Sequence, residues 1–157
     1  MRQRLLAIGD DFWIEDDQGR RVFKVDGKAL RLRSTLKFED SSGRELYKIQ
    51  ERVLRVRDSM TIERAGGGAA AKVHNALITP LRDRWRIDVP GGNDMRAVGN
   101  ILQHEYRIEQ GGATVATVSK RWLRVRDTYG VETAPGQDDA LLLAIVAVID
   151  TMAHQGR

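Results

Sequence analysis

The stretch Asp138-Asp139-Ala140-Leu141-Leu142-Leu143-Ala144-Ile145-Val146-Ala147-Val148-Ile149-Asp150 decides the fold. Two aspartates precede ten consecutive apolar residues, Ala140–Ile149. Aspartate suits an N-cap and the positive end of a helix dipole, and Gly156 suits a stop. Pro135-Gly136 breaks whatever comes before. The segment predicts a helix over about 138–154 with no polar face for its first three turns. Such a helix has to be covered on all sides. An interior strand is the alternative, because Ile145, Val146, Val148 and Ile149 are β-branched; the acidic start and the length of the run favour the helix. A membrane-spanning helix needs about 20 apolar residues, so this run is too short to be one.

Working outward, the rest of the chain reads as strands. An apolar residue followed by an acidic one recurs as Ile14-Glu15, Phe38-Glu39, Ile62-Glu63, Ile87-Asp88, Ile108-Glu109 and Val131-Glu132. The spacings are 24, 24, 25, 21 and 23, and a glycine follows each pair within five residues. Alternating segments such as Trp85–Asp88 and Tyr106–Glu109 precede the glycines, and runs such as Arg21–Val25 and Glu45–Ile49 follow them. Strand, glycine turn, strand is a β-hairpin. A second match, Arg52–Asp58 against Arg121–Asp127, shares Leu-Arg-Val-Arg-Asp at an offset of 69 and suggests two similar halves. Short hairpins plus one apolar helix predict a closed antiparallel barrel of about 12 strands wrapped around the C-terminal helix. The expected organisation is a single domain over 1–157, with strands over about 2–133.

Composition narrows the function classes. With 157 residues the chain is long enough to bury about 68–70% of its unfolded surface. The absence of cysteine excludes a disulfide scaffold, thiol catalysis and cysteine zinc sites. The first ten residues hold only four consecutive apolar ones, too few for a secretory signal core of about 7–15. The expected location is therefore cytoplasmic. The net charge is +4, all of it in residues 1–78, and 20 of the 26 basic residues are arginine. Arginine binds phosphate and carboxylate bidentately, so an anionic partner is one reading. Arginine-favouring codon usage is the plainer one.

Several motifs carry a resemblance. They are Gly9-Asp10-Asp11-Phe12-Trp13-Ile14, Gly27-Lys28, Lys120-Arg121-Trp122, Asp127-Thr128-Tyr129-Gly130-Val131 and Asp138-Asp139-Ala140-Leu141-Leu142-Leu143-Ala144. In this order and spacing the chain resembles the LURP-one-related family of the tubby C-terminal-like superfamily, in its short bacterial form. The resemblance covers essentially the whole chain, and the block from Lys120 to Ala144 is its most specific part. It implies the same barrel around a central helix. It also raises a lipid headgroup as ligand, because tubby proteins of that superfamily bind phosphoinositides. Tubby's headgroup residues do not match motif by motif, so none is carried over. The lack of cysteine argues against the activity of the superfamily's scramblases.

The candidate ligand-binding residues come from the alternation itself. In Leu30-Arg31-Leu32-Arg33 and the two Leu-Arg-Val-Arg-Asp strands, arginine and apolar residues fall on opposite faces. Leu54, Val56, Leu123 and Val125 would face the helix. Arg31, Arg33, Arg55, Arg57, Arg124 and Arg126 would face out and form an arginine-lined surface for an anionic headgroup, each adding on the order of 1 kcal/mol near an anionic membrane. The competing reading pairs them with Glu39, Glu51, Glu63 and Glu132 on a solvated wall. Asp10, Asp11, Asp16 and Asp17 cluster, but Asp16–Gly19 reads as a turn and lacks calcium-loop spacing. His74, His104 and His154 form no metal motif, and Gly66–Gly68 lacks the phosphate-loop ending. Met95, Asn93 and Gly91-Gly92 read as loop. No nucleophile elbow is present. Trp13, Trp85 and Trp122 occupy strand positions and suit core or wall better than a base-stacking platform. The reading is a non-enzymatic binding module without cofactor or metal. Its expected partner is an anionic membrane surface where it would sit peripherally, the alternative being a structural domain that meets a protein partner or itself.

Overall fold

The computed structural model describes residues 2–8, 11–26, 35–54, 57–74, 83–120 and 128–154. The strands are β1 (Arg2–Ile8), β2 (Asp11–Glu15), β3 (Arg21–Asp26), β4 (Thr35–Asp40), β5 (Glu45–Leu54), β6 (Arg57–Arg64), β7 (Ala69–His74), β8 (Asp83–Asp88), β9 (Met95–Asn100), β10 (Glu105–Gln110), β11 (Ala113–Ser119) and β12 (Thr128–Thr133). One helix, α1 (Asp139–His154), follows them. Each strand pairs antiparallel with the next in sequence.

The closed barrel of consecutive hairpins is corrected on one point. The eleven strands β2–β12 form a single antiparallel sheet that is not closed on itself, because its edges β2 and β12 do not pair with each other. Both edges pair instead with β1: Arg2–Leu6 lie against Thr128–Glu132, and Arg4–Ile8 against Asp11–Glu15. With β1 included the order runs β1-β12-β11-β10-β9-β8-β7-β6-β5-β4-β3-β2. A hairpin repeat specifies only the pairing of sequence neighbours. What the two edges do is a long-range contact that no turn signal encodes.

The recurring apolar-acidic pair has a structural role. Ile14, Phe38, Ile62, Ile87, Ile108 and Val131 are all 0% exposed and belong to the core around the helix. At Ile14/Glu15, Phe38/Glu39, Ile62/Glu63 and Ile108/Glu109 the register slips by one residue. Such a bulge bends the strand, and repeating it curves the sheet. The turns follow at once. Asp16 Oδ1 accepts the backbone N–H of Gln18 and Arg20, both at 2.9 Å. Asp40 Oδ1 accepts those of Ser42 and Arg44 at 2.9 and 3.0 Å. A carboxylate that captures two turn amides stabilises the tight reversal. Met95 departs from the loop reading: it begins β9 and is 6% exposed.

The helix has the expected all-round burial, and the interior-strand alternative falls. Leu141–Ile149 are each 9% exposed or less. Asp138 caps the start, its Oδ1 accepting the Leu141 N–H at 3.1 Å. The helix packs most closely on β6, β7 and β12. Among the described residues, no helix is long and apolar enough to cross a membrane.

The antiparallel order gives the sheet two ends. The turns at 16–20, 41–44, 65–68, 89–94 and 111–112, and the 134–138 link into α1, lie at the end where the helix starts. The Ile101–His104 turn lies at the other end, where the helix finishes.

Candidate functional site

The site begins with a close approach of two strands. Gly99 faces Tyr106 across the β9–β10 ladder, with φ +139°. A Cβ there would stand 2.7 Å from the Glu105 carbonyl oxygen and 2.8 Å from Tyr106 Cα. Only glycine fits both the conformation and the space.

The turn that follows is tied on every side. Asn100 Oδ1 accepts the Gln103 N–H at 3.1 Å, and the His104 N–H donates to the Ile101 carbonyl at 3.1 Å. Ile101 is 2% exposed and pins the turn to the core. His104 adopts φ +52°, a left-handed conformation that costs a side-chain-bearing residue about 1–2 kcal/mol. That conformation places the imidazole on Tyr129, with ring centroids 4.3 Å apart and planes within 14°. It also sets Nδ1 3.4 Å from Asp150 Oδ1 on the helix. The two side chains are 11% and 12% exposed. Across the neighbouring ladder, the Ser119 hydroxyl donates to both oxygens of Glu105 at 2.9–3.0 Å. The Lys120 N–H donates to Glu105 Oε1 at 3.1 Å.

Behind the imidazole lie two phenols. Tyr106 and Tyr129 are 5% and 4% exposed, and neither hydroxyl has a hydrogen-bond partner among the described residues. Burial raises both phenols well above the ordinary tyrosine value, and the Asp150 charge raises them further; Tyr106 adds to the effect on Tyr129. Phenols held neutral in this way do not act as bases. The cluster instead binds the C-terminal half of α1 to β12 and to the Ile101–His104 turn. That turn presents Leu102, the one large hydrophobic exposed among the described residues, at 37%.

The wall distributes its charge differently. Glu109 accepts from Arg96 Nε at 3.0 Å and Arg107 Nε at 2.6 Å. The two guanidiniums, Arg107 first, hold its carboxyl below the usual glutamate value. Asp88 meets Arg86 at 3.1 Å and His74 at 2.8 Å. Arg20 and Arg44 return to Asp16 and Asp40 at 2.9 and 3.3 Å. Trp13 is half-buried, with Arg21 and Lys24 at 4.4 and 5.2 Å from its ring. Trp85 is buried in the core.

Of the arginines singled out from sequence, Arg31, Arg33, Arg55, Arg124 and Arg126 lie outside the described residues. Val56, Asp10, Leu123, Val125 and Trp122 do too. Arg57 is the first residue of β6, opposite Leu54. The described residues flanking these positions are Asp26 and Thr35, Leu54 and Arg57, and Lys120 and Thr128. All six lie toward the end of the sheet that holds the Ile101–His104 turn. The sequence reading missed the cluster of His104, Tyr106, Tyr129 and Asp150. Its available signals were slight: a glycine inside the β9 pattern, and Asp150 as the first charge after ten apolar residues.

Comparison with known proteins adds two findings. A model of the LURP-one-related family matches residues 1–150. The fold is similar to the X-ray structure of an Arabidopsis thaliana protein, with a TM-score of 0.74 over 96% of this chain and 90% of that one, at 17% sequence identity. No curated protein matches the sequence.

Proposed function

The chain belongs to the LURP-one-related family, and from that premise we propose that it is a non-enzymatic binding module for anionic phospholipid or phosphoinositide headgroups. One observation carries the reading: basic charge is concentrated in a few linking segments of the sequence. The stretches 9–10, 27–34, 55–56, 75–82, 101–104 and 120–127 hold nine basic and two acidic residues. The turns at 16–20, 41–44, 65–68, 89–94 and 111–112 and the 134–138 link hold two basic and four acidic. Arg31, Arg33, Arg55, Arg124 and Arg126 are among the nine, and Arg57 begins β6. Concentrated basic charge draws an anionic surface. In this reading Arg86, Arg96 and Arg107 serve the fold, each beside a carboxylate, and the headgroup is taken by the arginines of the linking segments.

The test is co-sedimentation with vesicles of neutral, anionic and phosphoinositide-containing lipid, at low and physiological salt. Binding to the charged vesicles is expected at physiological salt. It should be lost when Arg55, Arg57, Arg124 and Arg126 become Glu, and kept in Arg44→Glu, in the 41–44 turn at the opposite end of the sheet from Arg57. Binding at low salt alone would mean generic electrostatics and sink the reading.

A second reading, a structural or protein-interaction domain, draws on the pairing of Arg86, Arg96 and Arg107 with Asp88 and Glu109. It gains if no vesicle binds under any condition.

A further inference from the structure

We propose that the outer face of β8–β10 is a binding site for a phosphoryl group, with the guanidiniums of Arg84, Arg86, Arg96 and Arg107 as its donors. The inference uses other arginines than the headgroup reading and stands apart from it.

Alternation puts these four side chains on one face. Trp85, Ile87, Ala97 and Ile108 belong to the core, so the arginines next to them in sequence face outward. The ladders bring the four together. Arg86 lies directly opposite Arg96, and Val98 lies between Arg84 on one side and Arg107 on the other. The side chains of Arg86, Arg96 and Arg107 are 61%, 60% and 47% exposed, and Arg84 is exposed too. Val98 faces outward and stands outside the core cluster, yet it is only 7% exposed. Arginine stems cover apolar surface in this way while their heads stay in water. Donors laid against the wall by their stems lose little freedom when a ligand arrives.

Charge on this face favours an anion. Like charges directly opposite across a ladder destabilise a sheet, and Arg86 and Arg96 are such a pair. An anion between them removes the repulsion. Asp88 meets Arg86 at 3.1 Å, and Glu109 accepts from both Arg96 and Arg107 at 3.0 and 2.6 Å. Arg84 has no ion pair among the described residues. Four guanidiniums against two carboxylates leave an excess of two positive charges, which is what a phosphate monoester dianion neutralises. Lys72, opposite Asp88 on β7, adds to the excess. Glu105, the next acid along β10, is taken by the Ser119 hydroxyl and the Lys120 N–H. Glu109 is recessed, its side chain 13% exposed, so a ligand meets the two guanidiniums first. Arg86 and Arg107 reach their carboxylates through Nε, which leaves their terminal amino groups uncommitted among the described residues. Those groups make the bidentate fork that suits phosphate.

The fold does not require arginine here. β2–β4 repeat the pairing of β8–β10, with Trp13, Lys24 and Glu39 in the ladder places of Arg86, Arg96 and Glu109. Asp11 takes the place of Arg84, Asp26 that of Val98 and Lys37 that of Arg107. The five places on β2–β4 carry no net charge in sequence, and their counterparts on β8–β10 carry four positive charges. The excess belongs to one face and not to the architecture.

Pyrophosphate is the probe, titrated into isotope-labelled protein against acetate at matched ionic strength and followed by amide NMR shifts. Pyrophosphate should move the β8–β10 signals to saturation, and acetate should not. Arg84→Gln with Arg86→Gln should weaken pyrophosphate binding about tenfold or more. Glu109 keeps both its arginines in that variant, so the fold should survive. Lys37→Gln, at the matching place on β4, should bind as wild type does. So should the variant with Arg55, Arg57, Arg124 and Arg126 changed to Glu. Equal shifts with acetate, or undiminished binding in the Arg84→Gln, Arg86→Gln variant, would overturn the site. If pyrophosphate binding disappears with the Arg55, Arg57, Arg124 and Arg126 changes and survives those on β8, the wall site falls and the headgroup reading stands. If the β8 variant alone loses pyrophosphate and wild type binds no charged vesicle, the wall site stands and the headgroup reading falls. Two further arms identify the source of the phosphoryl group. Weaker binding of the β8 variant to phosphoinositide vesicles assigns it to a lipid; weaker binding only to a soluble inositol phosphate assigns it to a free compound.

Discussion

Gly99 and Tyr106 face each other so closely that a Cβ on the glycine would lie 2.9 Å from the tyrosine Cβ. This approach fixes where β9 and β10 sit, and through them where His104 and Leu102 are held. Gly99→Ala has to accommodate both the contact and a φ of +139°. The expected loss is about 2–4 kcal/mol, read from denaturant unfolding. Gly43→Ala, at φ +86° with open space around it, should cost about 1–2 kcal/mol. Equal losses would show that the close approach is not tight.

The buried phenols reverse the usual sign of a tyrosine truncation. Removing a hydroxyl normally sacrifices a hydrogen bond. Here neither hydroxyl has a partner among the described residues, so each pays desolvation without return. Tyr106→Phe and Tyr129→Phe should leave stability unchanged or raise it by up to about 1 kcal/mol. A loss of that size in either variant's thermal unfolding would show that the hydroxyls are engaged in the folded protein.

The same phenols make alkaline stability fall. Folded, they stay protonated well above the usual tyrosine value; unfolded, they ionise near 10. The unfolded chain then binds fewer protons, so stability drops as pH rises past that value. The Tyr106→Phe, Tyr129→Phe double variant should lose less stability above about pH 10 than wild type does. Parallel pH profiles for the two proteins would contradict this.

Acid acts through the two aspartate turns. The Arg20 N–H, first among several donors, lowers Asp16; the Ser42 hydroxyl, first, lowers Asp40. A carboxyl lowered in the folded state contributes stability above its unfolded value of 3.8, and that contribution disappears as pH falls through the lowered value. The Asp16→Asn, Asp40→Asn double variant should therefore have a flatter stability profile than wild type between about pH 5 and 2. Asparagine retains the side-chain carbonyl that caps the turn, so the fold itself should survive. Identical slopes in the two proteins would remove the turns from the acid response.

The helix offers the bluntest test. Leu142 and Ile145 are 1% and 0% exposed. Leu142→Asp or Ile145→Asp would bury an unpaired charge with nowhere to move, and soluble folded protein should not be recovered. Leu142→Ala should fold and lose about 2–5 kcal/mol. A soluble Leu142→Asp protein with cooperative unfolding would count against a helix enclosed on all sides.

Local chemistry made much of this protein legible from its sequence. Ten apolar residues behind Asp138 announce a covered helix, because nothing else satisfies an apolar surface on every side. The pair Ile108-Glu109 and its five counterparts mark where a strand turns its last core residue inward and then reverses. Asp16 and Asp40 announce turns because their carboxylates sit within reach of amides two and four residues on. All of these contacts lie within a few residues of one another, so the order of residues alone determines them.

Three-dimensional packing decided the rest. Hairpin signals say nothing about what β2 and β12 do at the edges, and β1 is placed between them by pairing across more than a hundred residues of chain. His104 and Asp150 are 46 positions apart, and no periodicity links them. Their meeting depends on the helix threading back along the sheet until its first charge reaches the one turn with a left-handed histidine. The grouping of the described turns is of the same kind. Each turn is written in the sequence, but only the alternation of strand direction sorts the turns at 16–20, 41–44, 65–68, 89–94 and 111–112 to one end of the sheet and Ile101–His104 to the other.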